Sequence, residues 1–177
     1  MNERNEIPTS GFHLLRVITV HQEYTLAPED DGEQRESANR RMTVNWDWAV
    51  SDGREFDVFL GATIEGNEDA PERVNVGLVG EFVLDGNVPS VAFRTFVQMS
   101  APAIMFPYLR QIISDLTGRG PYGAYYLPSV NVVRLMKQYD FESTTGANQL
   151  QEEPELAELY GWSTDVQLQL PEAVPLK

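Results

Sequence analysis

The sequence predicts an α+β domain in which a four-stranded antiparallel sheet carries helices packed on one face. Three observations support this. Four strand-like segments come first, and the last three are joined by short connections, as in an antiparallel meander. A stripe of helical period follows, so strands and helices are segregated along the chain and do not alternate. At 177 residues one domain is the default, large enough to bury a core.

Residues 1–11 are polar and read as a flexible N-terminus. The first strand lies in Phe12–Val20 (FHLLRVITV), rich in β-branched side chains. Residues 28–41 are acidic, then basic, without periodicity, and form a long connection. In Met42–Ala49 (MTVNWDWA), Val44, Trp46 and Trp48 share one face while Thr43, Asn45 and Asp47 share the other, the mark of a half-buried strand. Phe56–Glu65 and Arg73–Leu84 supply two more strands, with GNEDAPE as the turn between them.

Helices come next. Val91–Met99 reads as a short helix leading into a longer one. There Ile104, Met105, Tyr108, Leu109, Ile112, Ile113 and Leu116 fall on one face at 3.6 residues per turn. Ser100 is the expected N-cap, Pro102 suits the first turn, and Arg119-Gly120 should end the run, with Gly120 free to adopt positive φ. Pro107 should kink this helix or mark its true start. Beyond an aromatic loop, Tyr122–Tyr126, residues Val130–Tyr139 can form a further helix.

Past Phe141 the chain turns polar, then acidic. A disordered tail would be poor in large apolar residues. This one has Leu156, Leu159, Tyr160 and Trp162, then Val166, Leu168 and Leu170 alternating with polar residues. Residues 142–177 form a C-terminal extension, and its segment Glu152–Lys177 is therefore expected to dock on the body or on a neighbouring subunit, with Trp162 and the VQLQL strand buried.

Composition excludes several classes. Thirteen Lys plus Arg against 27 Asp plus Glu leave a net charge of −14. That field repels nucleic-acid phosphates and anionic lipid, and favours basic partners. No apolar run approaches the roughly 18 residues that span a bilayer, so membrane insertion is not expected. The start, MNERNEIPTSGF, has no apolar core of a secretory signal. Zero cysteines excludes disulfides and thiolate metal sites and fits a cytoplasmic location.

Catalytic chemistry is thin. The two histidines, His13 and His21, are eight residues apart on one strand, roughly 26 Å at strand rise, too far to share a metal. No histidine–serine–acid arrangement is visible. Gly118 to Gly123 matches G-x-G-x-x-G formally, but it follows a helix, whereas a dinucleotide loop follows a strand and opens one. No enzyme activity, cofactor or metal is expected. What remains is an aromatic set, Trp46, Trp48, Phe82, Tyr122, Tyr125 and Tyr126, whose residue types suit either a core or a binding surface.

The residues Phe106, Pro107, Tyr108, Arg110, Ile113, Ser114, Leu116, Arg119, Gly120, Tyr122, Leu127, Val130 and Asn131 carry a more specific signal. Their pattern resembles the signature of the SecB family of bacterial protein-export chaperones, and weaker similarity runs from Phe12 to about Tyr139. Departures at Leu109, Gln111, Pro128 and Val132 are those of a divergent member. The resemblance implies a chaperone domain over residues 12–141 that assembles as a homotetramer, a dimer of dimers. It implies ATP-independent binding of unfolded polypeptides and preproteins in hydrophobic grooves for protein export. Val44, Trp46 and Trp48 fall on the groove positions of the second strand, and Tyr122 falls on the loop aromatic, with Tyr125 and Tyr126 beside it. A dedicated chaperone of a single client, such as a toxin–antitoxin partner, and a small-molecule carrier are the alternatives.

The same resemblance implies that docking to the SecA motor is weak or altered. The family's acidic sheet-face contact leaves only Glu23 on the first strand, with His21 and Gln22 beside it, and Asn75 stands where an acid belongs near the third strand. The tail has neither cysteine nor histidine, so the family's zinc module is missing.

Overall fold

Period-two alternation builds the sheet. The structure is a computed structural model that describes residues 11–26, 40–67, 71–129, 131–136, 138–139 and 141–160. Strands β1 (Phe12–Leu26), β2 (Arg41–Asp52), β3 (Glu55–Glu65) and β4 (Glu72–Leu84) form one antiparallel sheet in the order β1-β4-β3-β2. The meander β2-β3-β4 follows the sequence, and β1 closes the far side against β4. A two-residue turn, Gly53-Arg54, joins β2 to β3 with Gly53 at φ 51°.

Registers such as Trp46 opposite Leu60 and Leu60 opposite Leu78 put the even-numbered residues of β2, β3 and β4 on one face. That face is buried from Val44 to Trp48, from Phe56 to Ile64 and from Val74 to Leu84. The opposite face carries Asn45, Asp57, Thr63, Asn75 and Glu81. On β1 the register shifts twice, between Leu14 and Arg16 and between Thr19 and His21. Leu15 and Val20 are the extra residues and are each 53% exposed. Two shifts restore the alternation, so His13 and His21 both lie on the open face, opposite Val83 and Gly77.

Helix α1 (Ser90–Thr95) passes through a π-helical turn, Phe96–Ser100, directly into α2 (Ala101–Thr117). Ser100 is therefore not an N-cap. It is itself helical, at φ −76° and ψ −46°, and its side chain caps nothing. Pro102 does fall in the first turn. Pro107 neither starts nor ends the helix, which runs unbroken across it. Pro107 and Ala103, whose carbonyl loses its donor, are both exposed, so water can take that carbonyl.

The buried face of α2 is Ala101, Met105, Phe106, Leu109 and Ile113, lying on β4 and β3, whereas Ile104 and Tyr108 of the expected stripe are exposed. Gly80 makes room for this packing, since a Cβ there would sit 2.8 Å from the Met105 sulfur. The end of α2 also differs from expectation. Gly120 has no positive φ, and its requirement is steric, because a Cβ would fall 2.0 Å from the Tyr24 hydroxyl.

The helix expected over Val130–Tyr139 is reduced to one short piece, α3 (Val132–Met136), where the Arg134 N–H donates to Asn131 Oδ1 at 3.0 Å. A 3-10 turn at Phe141–Ser143 leads to α4 (Thr145–Glu152), N-capped by Thr144, and then to α5 (Pro154–Leu159). Helix α4 packs on β2. Tyr160 is fully buried against Phe56 and Phe93, and its hydroxyl donates to the Gly53 and Glu55 carbonyls. Docking of the extension on the body is thus seen as far as Tyr160. Trp162 and VQLQL lie outside the described residues.

Candidate functional site

Strand β2 is a sheet edge, and one side of its backbone has no strand partner among the described residues. In an antiparallel strand alternate residues aim their N–H and C=O groups outward, and on β2 these are the even-numbered residues whose side chains face the helices. The chain covers this edge with side chains. The Tyr139 hydroxyl donates to the Val44 carbonyl. The Trp48 N–H donates to Asp47 Oδ1 at 2.8 Å. The Val50 N–H donates to Gln149 Oε1 at 2.8 Å, and Gln149 Nε2 donates back to the Val50 carbonyl at 3.3 Å. Asp47 also anchors the start of α4, accepting from the Thr145 N–H at 2.9 Å and hydroxyl at 2.6 Å.

Aromatic rings fill the space beneath. Phe141 stacks on both Trp48 (5.9 Å, 15° between planes) and Trp46 (6.1 Å, 26°), and Tyr139 meets Trp46 edge-on at 6.0 Å. Phe93 of α1 meets Trp48 edge-on at 5.4 Å. Val44, Trp46 and Trp48 are consequently 7%, 6% and 1% exposed. The Trp46 indole N–H is buried without an acceptor among the described residues.

The aromatic loop is fastened at the other end of β2. Arg40, just before the strand, pairs with the Glu72 carboxylate, donates to the Tyr122 carbonyl at 3.3 Å and lies 5.1 Å from the Tyr125 ring centre. Glu72 also accepts from the Tyr24 hydroxyl at 2.8 Å. Burial, reinforced by that bond to Glu72, pushes the Tyr24 phenol well above its usual range. Behind the loop, Thr117 Oγ1 accepts from the Tyr125 N–H at 2.7 Å and donates to the Ile113 carbonyl at 2.8 Å. Tyr122 is buried, Tyr125 is half-buried, and Tyr126 is 75% exposed.

The candidate residues thus form two groups along β2, and Tyr126 alone of the six stands open to solvent. Phe82 belongs to the core, stacked on Phe56 at 5.6 Å. Phe106 of the signature packs inward, while Pro107, Tyr108, Arg110 and Arg119 face outward and Val130 lies outside the described residues. Glu23 is exposed on β1, and its cross-strand partner is Asn75 of β4, which on its other side pairs with Thr63 of β3 and so stands beside the third strand. His13 and His21 lie apart, each beside a carboxylate, Asp85 at 3.5 Å and Glu23 at 3.7 Å. Among the described residues no group of three potential metal ligands converges.

Sequence reasoning missed Arg40, Glu72, Tyr139, Phe141 and Gln149. Arg40 closes an acidic-to-basic connection and Gln149 sits in a polar run, so neither carries a local signal. Phe141 and Tyr139 could have been found as aromatics just beyond a strand-poor stretch.

The family model described as preprotein translocase subunit SecB matches residues 23–143. The chain belongs to the SecB family. Protein-export protein SecB of Dechloromonas aromatica is 31% identical over 140 residues, spanning 77% of this chain and 90% of that protein. SecB of Bartonella bacilliformis is 25% identical over 140 residues, 78% and 87% of the two chains. Among solved structures, the Mycobacterium tuberculosis Rv1957 SecB-like chaperone, in complex with a ChAD peptide from the Rv1956 HigA1 antitoxin, is similar in fold. The TM-score is 0.56 at 11% identity, over 69% of this chain and 89% of that one. A SecB-family protein is a chaperone and not an enzyme. Helix α4, which covers the β2 edge, and α5 after it fall beyond the residues matched by the family model. No helix among the described residues is long and apolar enough to cross a membrane.

Proposed function

We propose that this protein is an ATP-independent chaperone of the cytoplasm that binds unfolded polypeptides and preproteins along β2 and the Tyr122–Tyr126 loop and keeps them competent for export. The observation that carries the reading is the coincidence of SecB membership with an aromatic band, Trp46 and Trp48 under Tyr139 and Phe141, at an unpaired sheet edge. Aromatic faces tolerate many sequences, which suits a binder of unfolded chains. Burial of exposed apolar segments at roughly 25 cal/mol per Å² lowers the free concentration of aggregation-prone chain. The acidic surface adds attraction for basic segments.

The working form is a homotetramer, a dimer of dimers, in which several grooves act together. Docking to the SecA motor is weak, because Glu23 faces the neutral Asn75 and the sequence has no cysteine for a zinc module. A dedicated client is the second reading, favoured by the similar Rv1957 chaperone, which is held with an antitoxin peptide. A small-molecule carrier draws no support from Trp46 and Trp48, whose rings pack on neighbouring rings.

Aggregation suppression with two unrelated reduced, unfolded proteins tests the proposal. Protection of both at near-equimolar chaperone is expected. Protection of neither would overturn it, and tight binding of one encoded partner alone would favour the dedicated role.

A further inference from the structure

We infer that the outer edge of β2, from Val44 to Val50, is a strand-addition site for an extended, apolar and basic polypeptide segment, and that α4 is the chain's own removable occupant of that site. The inference rests on the chaperone reading and adds how a client is held and what must move first.

The first observation is the Gln149 amide. It accepts from the Val50 N–H and donates to the Val50 carbonyl, the two bonds that one residue of an added strand would make. Tyr139 on the Val44 carbonyl and Asp47 on the Trp48 N–H continue the same substitution along the edge. A protected edge is the ordinary way to avoid wrong pairing, and the bonds to Val50 protect it only while α4 stays in place.

The second observation is the tryptophan pair of the inward face, Trp48 against Gly146 of α4 and Trp46 against Tyr139 and Phe141. Trp46 and Trp48 face the side that an added strand's inward residues would share, and the Trp46 indole N–H is buried with no acceptor among the described residues. A carbonyl of an entering chain would satisfy it. Leaving such a donor unpaired is costly, so the closed arrangement is imperfect at this point.

The third is the character of the cover. Helix α4 has eight residues, too few to persist in water unsupported. Its hold is the Thr145–Asp47 and Gln149–Val50 bonds, with Ala147 and Leu150 buried. It joins α5 with exposed Glu152, Glu153, Glu155 and Glu158 around the junction. Release of Thr145 would free the Asp47 carboxylate at the edge, where a basic residue of the client could meet it. Local opening of such a unit costs less than global unfolding.

Hydrogen–deuterium exchange on the full chain tests this, with a capped, lysine-ended peptide of alternating leucine and serine as probe. Bound peptide should speed exchange over residues 145–152 and slow it over residues 44–50. Gln149→Leu, which removes both bonds to Val50, should tighten the peptide about tenfold, the effect of two hydrogen bonds of ordinary net strength. Methylation of alternate peptide nitrogens in the probe should abolish binding. Unchanged protection of residues 145–152 with peptide bound, or equal binding of the methylated probe, would overturn the inference. If Gln149→Leu does not fold, exchange on the unaltered chain decides alone. Should a reduced, unfolded protein bind while α4 stays protected, strand addition falls and the chaperone reading stands; binding of neither probe sinks both.

Discussion

Gly146 of α4 lies flat against the Trp48 indole, and a Cβ at this position would fall 2.3 Å from Cε3 of the ring. Only glycine lets the helix approach β2 so closely. Gly146→Ala should therefore overpack the site and destabilise the chain by about 1–3 kcal/mol, read as a lower urea midpoint. Because Trp48 is 1% exposed, any retreat of α4 to relieve the clash should also red-shift tryptophan emission. An unchanged midpoint and spectrum would mean that α4 does not rest on Trp48 in solution.

The Arg40–Glu72 pair is the most buried ion pair described, with side chains 7% and 0% exposed. Removing one partner strands a charge away from water. Glu72→Gln is expected to cost about 3–5 kcal/mol, whereas Arg40→Met combined with Glu72→Met should recover much of that loss. A double-mutant cycle from urea unfolding measures the difference. The Tyr122–Tyr126 loop should loosen in the single variant, visible as faster proteolysis there.

Much of this architecture was legible in sequence because its signal is local. Val44, Trp46 and Trp48 announce β2 by parity, and α2 announces itself by helical period. The π turn at Phe96–Ser100 and the bulges at Leu15 and Val20 were not legible, since they depend on how strands and helix settle against one another. Gly120 looked like a residue chosen for its φ, yet its neighbour Tyr24 is far away in sequence. The same holds for the cover. Val50 and Gln149, and Asp47 and Thr145, meet across nearly a hundred residues, and nothing in a polar run such as ANQLQE points to a strand edge. The aromatics at β2 stand out in the sequence, but sequence could not tell that other residues of the same chain lie over them.

Asp57 should make stability pH-dependent in a direction opposite to most carboxylates. It lies on the open face, opposite Glu81 on β4 and near Glu55, with Arg16 of β1 bound to Glu81 at 2.5 and 2.8 Å. Burial first, then Glu81 and Glu55, push its carboxyl above the usual value, while Arg16 draws it back. A raised folded-state value favours the protonated acid in the native chain. Its contribution is thus most favourable at low pH and is lost as pH rises through the raised value. Asp57→Asn should stabilise the protein at neutral pH, by less than about 1 kcal/mol at a position only partly buried, and should match the parent near about pH 3. Urea midpoints at the two pH values check this; a destabilised variant at neutral pH would refute it.

The proposed tetramer can be tested through the surfaces that the described residues leave open. Ile104 and Tyr108 project from the solvent side of α2, 40% and 45% exposed. Strand β1 is the other sheet edge, with Leu15, Val20 and Leu26 exposed along it. A closed dimer of dimers needs two distinct self-complementary interfaces, and these are two separate apolar surfaces on different elements. Light scattering on the unaltered chain should give a tetramer and not a 20.0 kDa particle. Ile104→Asp with Tyr108→Asp places charge on exposed positions that the monomer's own packing does not use, so the fold should survive by circular dichroism. If the α2 surface joins the dimers, mass should fall to that of a dimer and stop there, because the β1 edge remains intact. An undiminished tetramer would move the second interface off α2, and a parent chain already monomeric at micromolar concentration would remove the assembly altogether.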